Sequence, residues 1–286
     1  MPSSEAVVSE AINHYTSRAG TYDAATGGWH AVLGCDYVDF LPPPRGGAVL
    51  DLACGTGLVS LPYAQAVGPD GVVVGVDITD AMLDEARQKP VPAGSGAVHW
   101  VKADVADLSS IDAVQEVRRE RGGFDVISCC SALVLLHDPA ACVRHWATYL
   151  VPGTGRIIID VPTEDRTLQK LFTVSLRKSL GLPNLFDREW IRDIHSLEHM
   201  YEGAGLEVEE SFRTKSYIPE RVFGLDEGMT VFEEASTSTY QWVRNSTDLL
   251  ARARDVWPVI WKESLNDNEK HRDGHWLYVT IGARTE

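Results

Sequence analysis

Apolar residues between 48 and 161 fall into two alternating patterns. Near-continuous, β-branched runs at Ala48–Asp51, Gly71–Asp77, Ala97–Lys102, Phe124–Cys130 and Gly155–Val161 read as strands. A strand covered by helices on both faces needs no polar alternation, so each is expected to be a buried parallel strand. Segments near 57–67, 79–89, 108–121 and 139–150 instead carry the helical period of one buried face. Strand–helix alternation of this kind implies right-handed crossovers. The expected fold is α/β, a doubly wound, Rossmann-like, mostly parallel sheet with helices on both faces.

After Val161 the alternation stops. Roughly 45 residues of mostly helical sequence precede the next strand, Leu206–Phe212, and a second long stretch, 217–270, precedes a last one at Trp276–Ile281. Inserts this long in a compact fold are usually lids or binding loops. The expected organisation is a single domain over 1–286, with a helical cap at 1–45 and a ligand-binding core at 46–161. Helical inserts at 162–205 and 216–272 form a lid, and strands at 206–215 and 275–283 close the sheet. The inserts hold LFTVSLRKSLGLPNLF and three tryptophans, Trp242, Trp257 and Trp261, expected to pack the lid on the sheet.

Composition narrows the ligand. A formal charge of −15 argues against a broad phosphate-binding surface, and the one dense basic cluster, Arg118, Arg119 and Arg121, shares its helix with Glu116 and Glu120 and reads as a solvated face. No nucleic-acid partner is expected. Five cysteines without a CxxC pair indicate neither a disulfide framework nor a structural zinc site. No apolar run is long enough to cross a bilayer and the N-terminus carries no secretion pattern, so a reduced, cytoplasmic setting is expected.

In an open parallel sheet, ligands bind outside the carboxyl ends of the strands, beside the first. There the chain reads AVLDLACGTGLVS, with Gly55 and Gly57 at the strand's end. A dinucleotide loop follows GxGxxG, but here Ser60 takes the third glycine's place and Asp51 precedes the loop. An acid at that point repels a pyrophosphate and suits a ligand with an amino group. The loop favours a cationic nucleoside.

Val49-Leu50-Asp51-Leu52-Ala53-Cys54-Gly55-Thr56-Gly57 resembles the first motif of class I S-adenosylmethionine-dependent methyltransferases. The resemblance covers about residues 10–161 and implies the class I methyltransferase fold, S-adenosylmethionine as cofactor, and a glycine loop, Asp51, Ala53, Gly55 and Gly57, against it. Asp77, ending VVVGVD, matches the acid that accepts the two ribose hydroxyls, and Ile78 and Met82 match positions flanking the adenine. Lys102-Ala103-Asp104-Val105 matches the segment that reads the adenine edge, with Asp104 accepting from the amino group and Val105 supplying backbone. FDVISCCSAL matches the strand under the methionine portion, placing Cys130 and Ser131 where backbone carbonyls could hold the ammonium. Alternation along a strand turns Cys129 and Cys130 apart, which favours buried structural thiols over redox chemistry.

HYTSRAGTYDAATGGWH resembles the segment that precedes the core in the ubiquinone and menaquinone, UbiE-like, branch. It makes Tyr15 and Tyr22 candidates for the cofactor's carboxylate or sulfonium, a cation that gains from aromatic faces. That branch often carries a His-His pair after the fourth strand. Here Val134 and Leu135 stand in its place, and His137 is the candidate general base. His195 and His199 share an i, i+4 spacing on an expected helix, but HSLEH lacks a zincin order and no metal site is expected. His271 and His275 are left between surface and functional roles.

The expected function is methyl transfer to oxygen, nitrogen or carbon of a small biosynthetic metabolite. Three alternatives stand beside it: a cofactor-assisted rearrangement or cyclisation without methyl transfer, a nicotinamide-dependent dehydrogenase, and an interaction module that keeps the fold. The sequence leaves the oligomeric state open.

Overall fold

The computed structural model describes residues 4–285 apart from 26, 166, 183–188 and 236–240, with backbone only for Ser4, Ala25, Gln241 and Trp242. The side chain of Trp242 and the end of LFTVSLRKSLGLPNLF therefore lie outside the described part. Strands run in chain order as β1 (Ala48–Leu52), β2 (Val72–Asp77), β3 (Ala97–Lys102), β4 (Val126–Cys129), β5 (Arg156–Pro162), β6 (Leu206–Arg213), β7 (Arg221–Gly224), β8 (Lys270–Asp273) and β9 (Leu277–Arg284). The chain divides into two compact units.

The larger unit is built on a seven-stranded sheet in the order β3-β2-β1-β4-β5-β9-β6. β1 to β5 pair in parallel, and β9 inserts antiparallel between β5 and β6. The strand order reverses between β1 and β4, so their carboxyl ends open a crevice there. Seven helices label the N-terminal segment and crossovers: α1 (Ser4–Thr16), α2 (Tyr22–Ala25), α3 (Trp29–Phe40), α4 (Ser60–Val67), α5 (Asp80–Gln88), α6 (Asp112–Arg121) and α7 (Pro139–Ala147). β1, β2 and β4 are buried throughout, as continuous apolar runs require. β3 departs from that expectation. It is an edge strand, and its residues are half-buried or exposed, because only one neighbour covers it.

Trp100 on β3 lies over two glycines. A Cβ at Gly75 of β2 would stand 2.8 Å from its ring, and one at Gly57 would stand 2.6 Å from it. The indole thus occupies space that bare backbone provides. The basic cluster on α6 is partly engaged: Arg118 stacks on Tyr149, and Arg121 donates to the carbonyls of Gly46 and Asp70.

Where one insert was expected at 162–205, the chain changes units. Residues 164–185 belong to the smaller unit, whereas 186–214 belong to the larger, where Leu197 and Tyr201 join the sheet core and Tyr201 Oη donates to Thr280 O at 2.9 Å. The helix expected to carry both His195 and His199 begins only at Glu198, leaving His195 in the preceding turn. Both imidazoles are exposed and face acids of their own segment, Glu198 and Glu202.

The smaller unit joins 164–185 to 215–276 and contains the two-stranded antiparallel β7–β8 sheet. Trp257 and Trp261 lie in its own core. Trp257 stacks on Phe172 with centroids 4.4 Å apart and donates to Gly228 O, and His271 is buried beside Trp261 with its Nδ1 3.0 Å from Ser264 Oγ. The half-buried His275 hydrogen-bonds through its backbone N–H to Ser216 Oγ.

Candidate active site

A cavity of about 260 Å³ opens at the carboxyl ends of β1, β2, β3 and β4, entirely within the larger unit. It gathers Tyr22, Ala53, Gly55, Asp77, Ile78, Met82, Asp104, Val105, Cys130, Ser131 and His137, residues drawn from six separate stretches of sequence. Tyr15 joins them. Asp51 and Gly57 are outside this lining.

Asp77 ends β2 with its carboxylate aimed back across the glycine turn. Oδ2 accepts the Gly55 N–H at 2.8 Å and Oδ1 the Thr79 N–H at 2.8 Å. Burial raises its pKa above the ordinary carboxylate range, while the N–H groups of Thr79, Gly55 and Ile78 and the Thr79 hydroxyl pull against that shift. Asp104 follows β3, and its Oδ1 accepts the Ala106 N–H at 2.9 Å, an Asx turn that fixes the carboxyl on the cavity wall. It caps no helix, since α6 begins only at Asp112.

Two of the cavity's residues hold strained backbone. Ala53 has φ +54° and Ser131 φ +55°, and with Glu269 they are the non-glycine residues at positive φ among those described. A Cβ in this region costs about 1–2 kcal/mol, which the surroundings must overcome. Two of three such residues line one cavity. Cys130, at the same turn, faces the cavity while Cys129 is fully buried on β4, so alternation separates them as expected. Burial pushes both thiols well above their ordinary range.

Asp51 serves a different purpose from direct contact. It is buried under the loop, where Ser60 Oγ donates to its Oδ2 at 2.5 Å and Ser128 Oγ to its Oδ1 at 2.9 Å. Burial pushes its carboxyl up to about 6 against the pull of these hydroxyls. The serine in the third-glycine position is thus the partner of the acid. Gly57 turns its missing side chain toward Trp100 and Ala86, whereas a Cβ on Gly55 would meet only Met82 Cε, at 3.6 Å.

The N-terminal segment supplies a wall. Val7, Val8 and Ala11 of α1 line the cavity, and Tyr22 Oη lies 3.2 Å from His30 Nε2. Its neighbour Asp23 ties the segment to the glycine loop, accepting from Thr56 Oγ1 at 2.7 Å and pairing with Lys89 at 2.8 Å. On the other side, Asp160 of β5 accepts from Ser131 N and Oγ and from Tyr37 Oη of α3. Sequence reasoning missed Asp23, Tyr37, Asp160 and Ser128. The available signal was an acid inside the apolar run RIIIDVP.

The donor set fits a nucleoside with a cationic tail: acids at the ends of β2 and β3, apolar Ile78 and Met82 beside them, bare or left-handed backbone at Gly55, Ala53 and Ser131, and no lysine or arginine in the lining among the described residues. No group of three His, Cys, Asp or Glu is arranged to hold a metal among the described residues. Nor is any described helix long and apolar enough to cross a membrane.

Residues 49–153 match the methyltransferase domain family. Nocamycin O-methyltransferase of Saccharothrix syringae is 31% identical over 152 residues, which are 53% of this chain and 51% of that one. The ubiquinone/menaquinone biosynthesis C-methyltransferase UbiE of Idiomarina loihiensis is 37% identical over 116 residues, 40% of this chain and 42% of its own. The chain spans about half the length of the curated relatives it matches. In fold, the chain is similar to the YcgJ protein of Bacillus subtilis, with TM-score 0.56 at 17% identity, covering 88% of this chain and 98% of that one. It is also similar to the [4+2]-cyclase SpnF, with TM-score 0.59 at 14% identity, covering 98% and 97%.

Proposed function

We propose that this chain is a class I S-adenosylmethionine-dependent methyltransferase, a reading supported by its fold and by the family match over residues 49–153, and that it binds its cofactor between Asp77, Asp104 and Ser131 and methylates a small organic acceptor. The observation that carries this reading is Asp77: a buried carboxylate that ends β2, is fixed across the glycine turn by the Gly55 and Thr79 N–H groups, and lines the cavity. Its two oxygens suit the vicinal hydroxyls of a ribose. Asp104 takes the adenine amino group and Val105 the ring edge, while Ile78 and Met82 cover its faces. Backbone at Ala53, Cys130 and Ser131 receives the ammonium, and Tyr15 and Tyr22 lie beside the sulfonium end.

When bound, S-adenosylmethionine supplies an electrophilic methyl group on sulfonium sulfur. The protein's own part is to orient the two reactants, exclude water and take a proton where the acceptor has one to lose. Val7, Val8, Leu135 and Leu136 give the cavity apolar walls. His137 stands at the cavity surface, exposed, as the imidazole available to take that proton. The lack of lysine and arginine in the lining among the described residues favours neutral acceptors over phosphorylated ones.

Calorimetric titration with S-adenosylmethionine and S-adenosylhomocysteine tests the cofactor site, with micromolar binding, about −8 kcal/mol, expected. Incubation with candidate metabolites and mass spectrometry then seeks an acceptor gaining one methyl. Absence of binding by the folded protein would overturn the reading. Binding with product formed but neither methyl gain nor S-adenosylhomocysteine would pass it to a cofactor-assisted rearrangement.

A further inference from the structure

Ser131 turns the chain off β4 with φ +55°, a conformation that an L residue adopts only when something holds it there. The holder is visible. Asp160 Oδ1 accepts the Ser131 N–H at 2.9 Å and Oδ2 accepts the Ser131 hydroxyl at 3.1 Å, so one carboxylate grips both donors of one residue. Tyr37 Oη of α3 donates to Asp160 Oδ1 and also lies 3.3 Å from Cys129 O, fixing the carboxylate from the opposite side. Asp160 itself is fully buried and does not line the cavity. A buried carboxylate in an apolar strand carries a desolvation cost unless its acceptor positions are filled. The N–H and hydroxyl of Ser131, the Tyr37 hydroxyl and the Cys130 thiol fill them.

We infer that Asp160 is a positioning residue for cofactor binding: it holds Ser131 in the left-handed turn at the cavity, and Tyr37 makes that grip depend on α3. The inference rests on the reading of the cavity as the S-adenosylmethionine site. Asp160 touches no ligand; it acts through the backbone of Ser131. Glycine adopts φ near +55° without the Cβ penalty, so a chain with glycine at 131 needs no grip.

This relation gives a test that burial alone would not pass. In the full chain, S-adenosylhomocysteine affinity is measured by calorimetry for Asp160→Asn with serine at 131 and again in the Ser131→Gly background. An amide presents N–H donors in place of one of the two oxygens that accept from Ser131, so Asp160→Asn weakens binding about tenfold with serine at 131, the loss of one modest hydrogen bond's worth of hold. In the Ser131→Gly background the same substitution changes affinity less than threefold. Equal losses in both backgrounds, or no loss in either, overturn the inference while leaving the cofactor reading in place. Failure of the parent protein to bind S-adenosylmethionine or S-adenosylhomocysteine overturns both. Should Asp160→Asn fail to fold, Tyr37→Phe in the same two backgrounds replaces it, with the same rescue expected and the same equal losses decisive against.

Discussion

Replacing Gly57 by alanine separates two uses of glycine that one motif combines. At Gly57 the backbone has φ +82°, and an added Cβ would stand 2.6 Å from Trp100 Cη2 and 3.3 Å from Ala86 Cβ. The left-handed conformation costs a non-glycine residue about 1–2 kcal/mol. Pushing the indole aside adds about 1–3 kcal/mol, the range for overpacking. The sum, about 2–5 kcal/mol, corresponds to a fall in Tm of roughly 5–15 °C for a unit of this size. Gly55→Ala has the same backbone penalty but no clash, since its Cβ meets Met82 Cε at 3.6 Å on the cavity side. Thermal unfolding by circular dichroism and calorimetric titration with S-adenosylhomocysteine at a temperature where both variants are folded distinguish them. Gly57→Ala loses the larger share of Tm and keeps its affinity within twofold, whereas Gly55→Ala loses affinity because its new methyl occupies ligand space. A Gly57→Ala protein that melts with the parent, or that loses affinity as Gly55→Ala does, would refute the assignment of Gly57 to packing. Trp100→Phe, which shortens the ring, should recover part of the Gly57→Ala loss, a coupling expected between touching residues.

Three further outcomes follow from the site. Asp77→Ala removes a charge-assisted acceptor and weakens S-adenosylmethionine binding by about 1.5–3 kcal/mol, with unchanged affinity by calorimetry ruling out contact with the ribose. His137→Ala keeps cofactor affinity within twofold and lowers turnover about 100-fold once the acceptor is known; full turnover would remove His137 from proton transfer. Asp51 is raised from 3.8 to about 6 by burial, so the folded state binds its proton more tightly than the unfolded chain. The contribution to stability is therefore fully present below about pH 4 and lost as pH rises through 6, and the full shift corresponds to about 3 kcal/mol. Denaturant titrations at pH 4, 5, 6 and 7 should show Asp51→Asn gaining on the parent by about 2–3 kcal/mol across that window, and a constant difference would contradict it.

The fold was legible because its parallel strands are buried on both faces, which writes a continuous apolar run into the sequence. β1, β2 and β4 carry that signature in full. β3 carries it less truthfully: AVHWVK reads as apolar, yet its edge position leaves the strand partly exposed, and edge position is a property of the sheet rather than of the run. The segment after Val161 was harder for a related reason. Its helices between 168 and 203 are short, with Glu198–Gly203 spanning a single turn and a half, and their ends are fixed by tertiary partners such as Tyr201 with Thr280, so His195 fell outside a helix that spacing alone had extended over it.

The candidate site was legible where a residue's role is set by its place at a strand's end. Asp77, Asp104 and Ser131 each directly follow or end a strand, and the parallel sheet brings such positions together whatever the loops contain. It was not legible where one buried polar group answers another across the chain. Asp51 needs Ser60 and Ser128, and Asp160 needs Tyr37 and Ser131, partners separated by 77 and 123 residues in the widest cases. Nothing in either local sequence announces its counterpart. An acid within an apolar strand nevertheless implies one, because a buried carboxylate without donors is too costly to persist. Asp51 and Asp160 both obey that rule, and each takes a donor from the segment that leads into the cavity turn, Ser128 for Asp51 and Ser131 for Asp160. The buried acids therefore mark which loops must hold still for a ligand even though the acids themselves do not reach it.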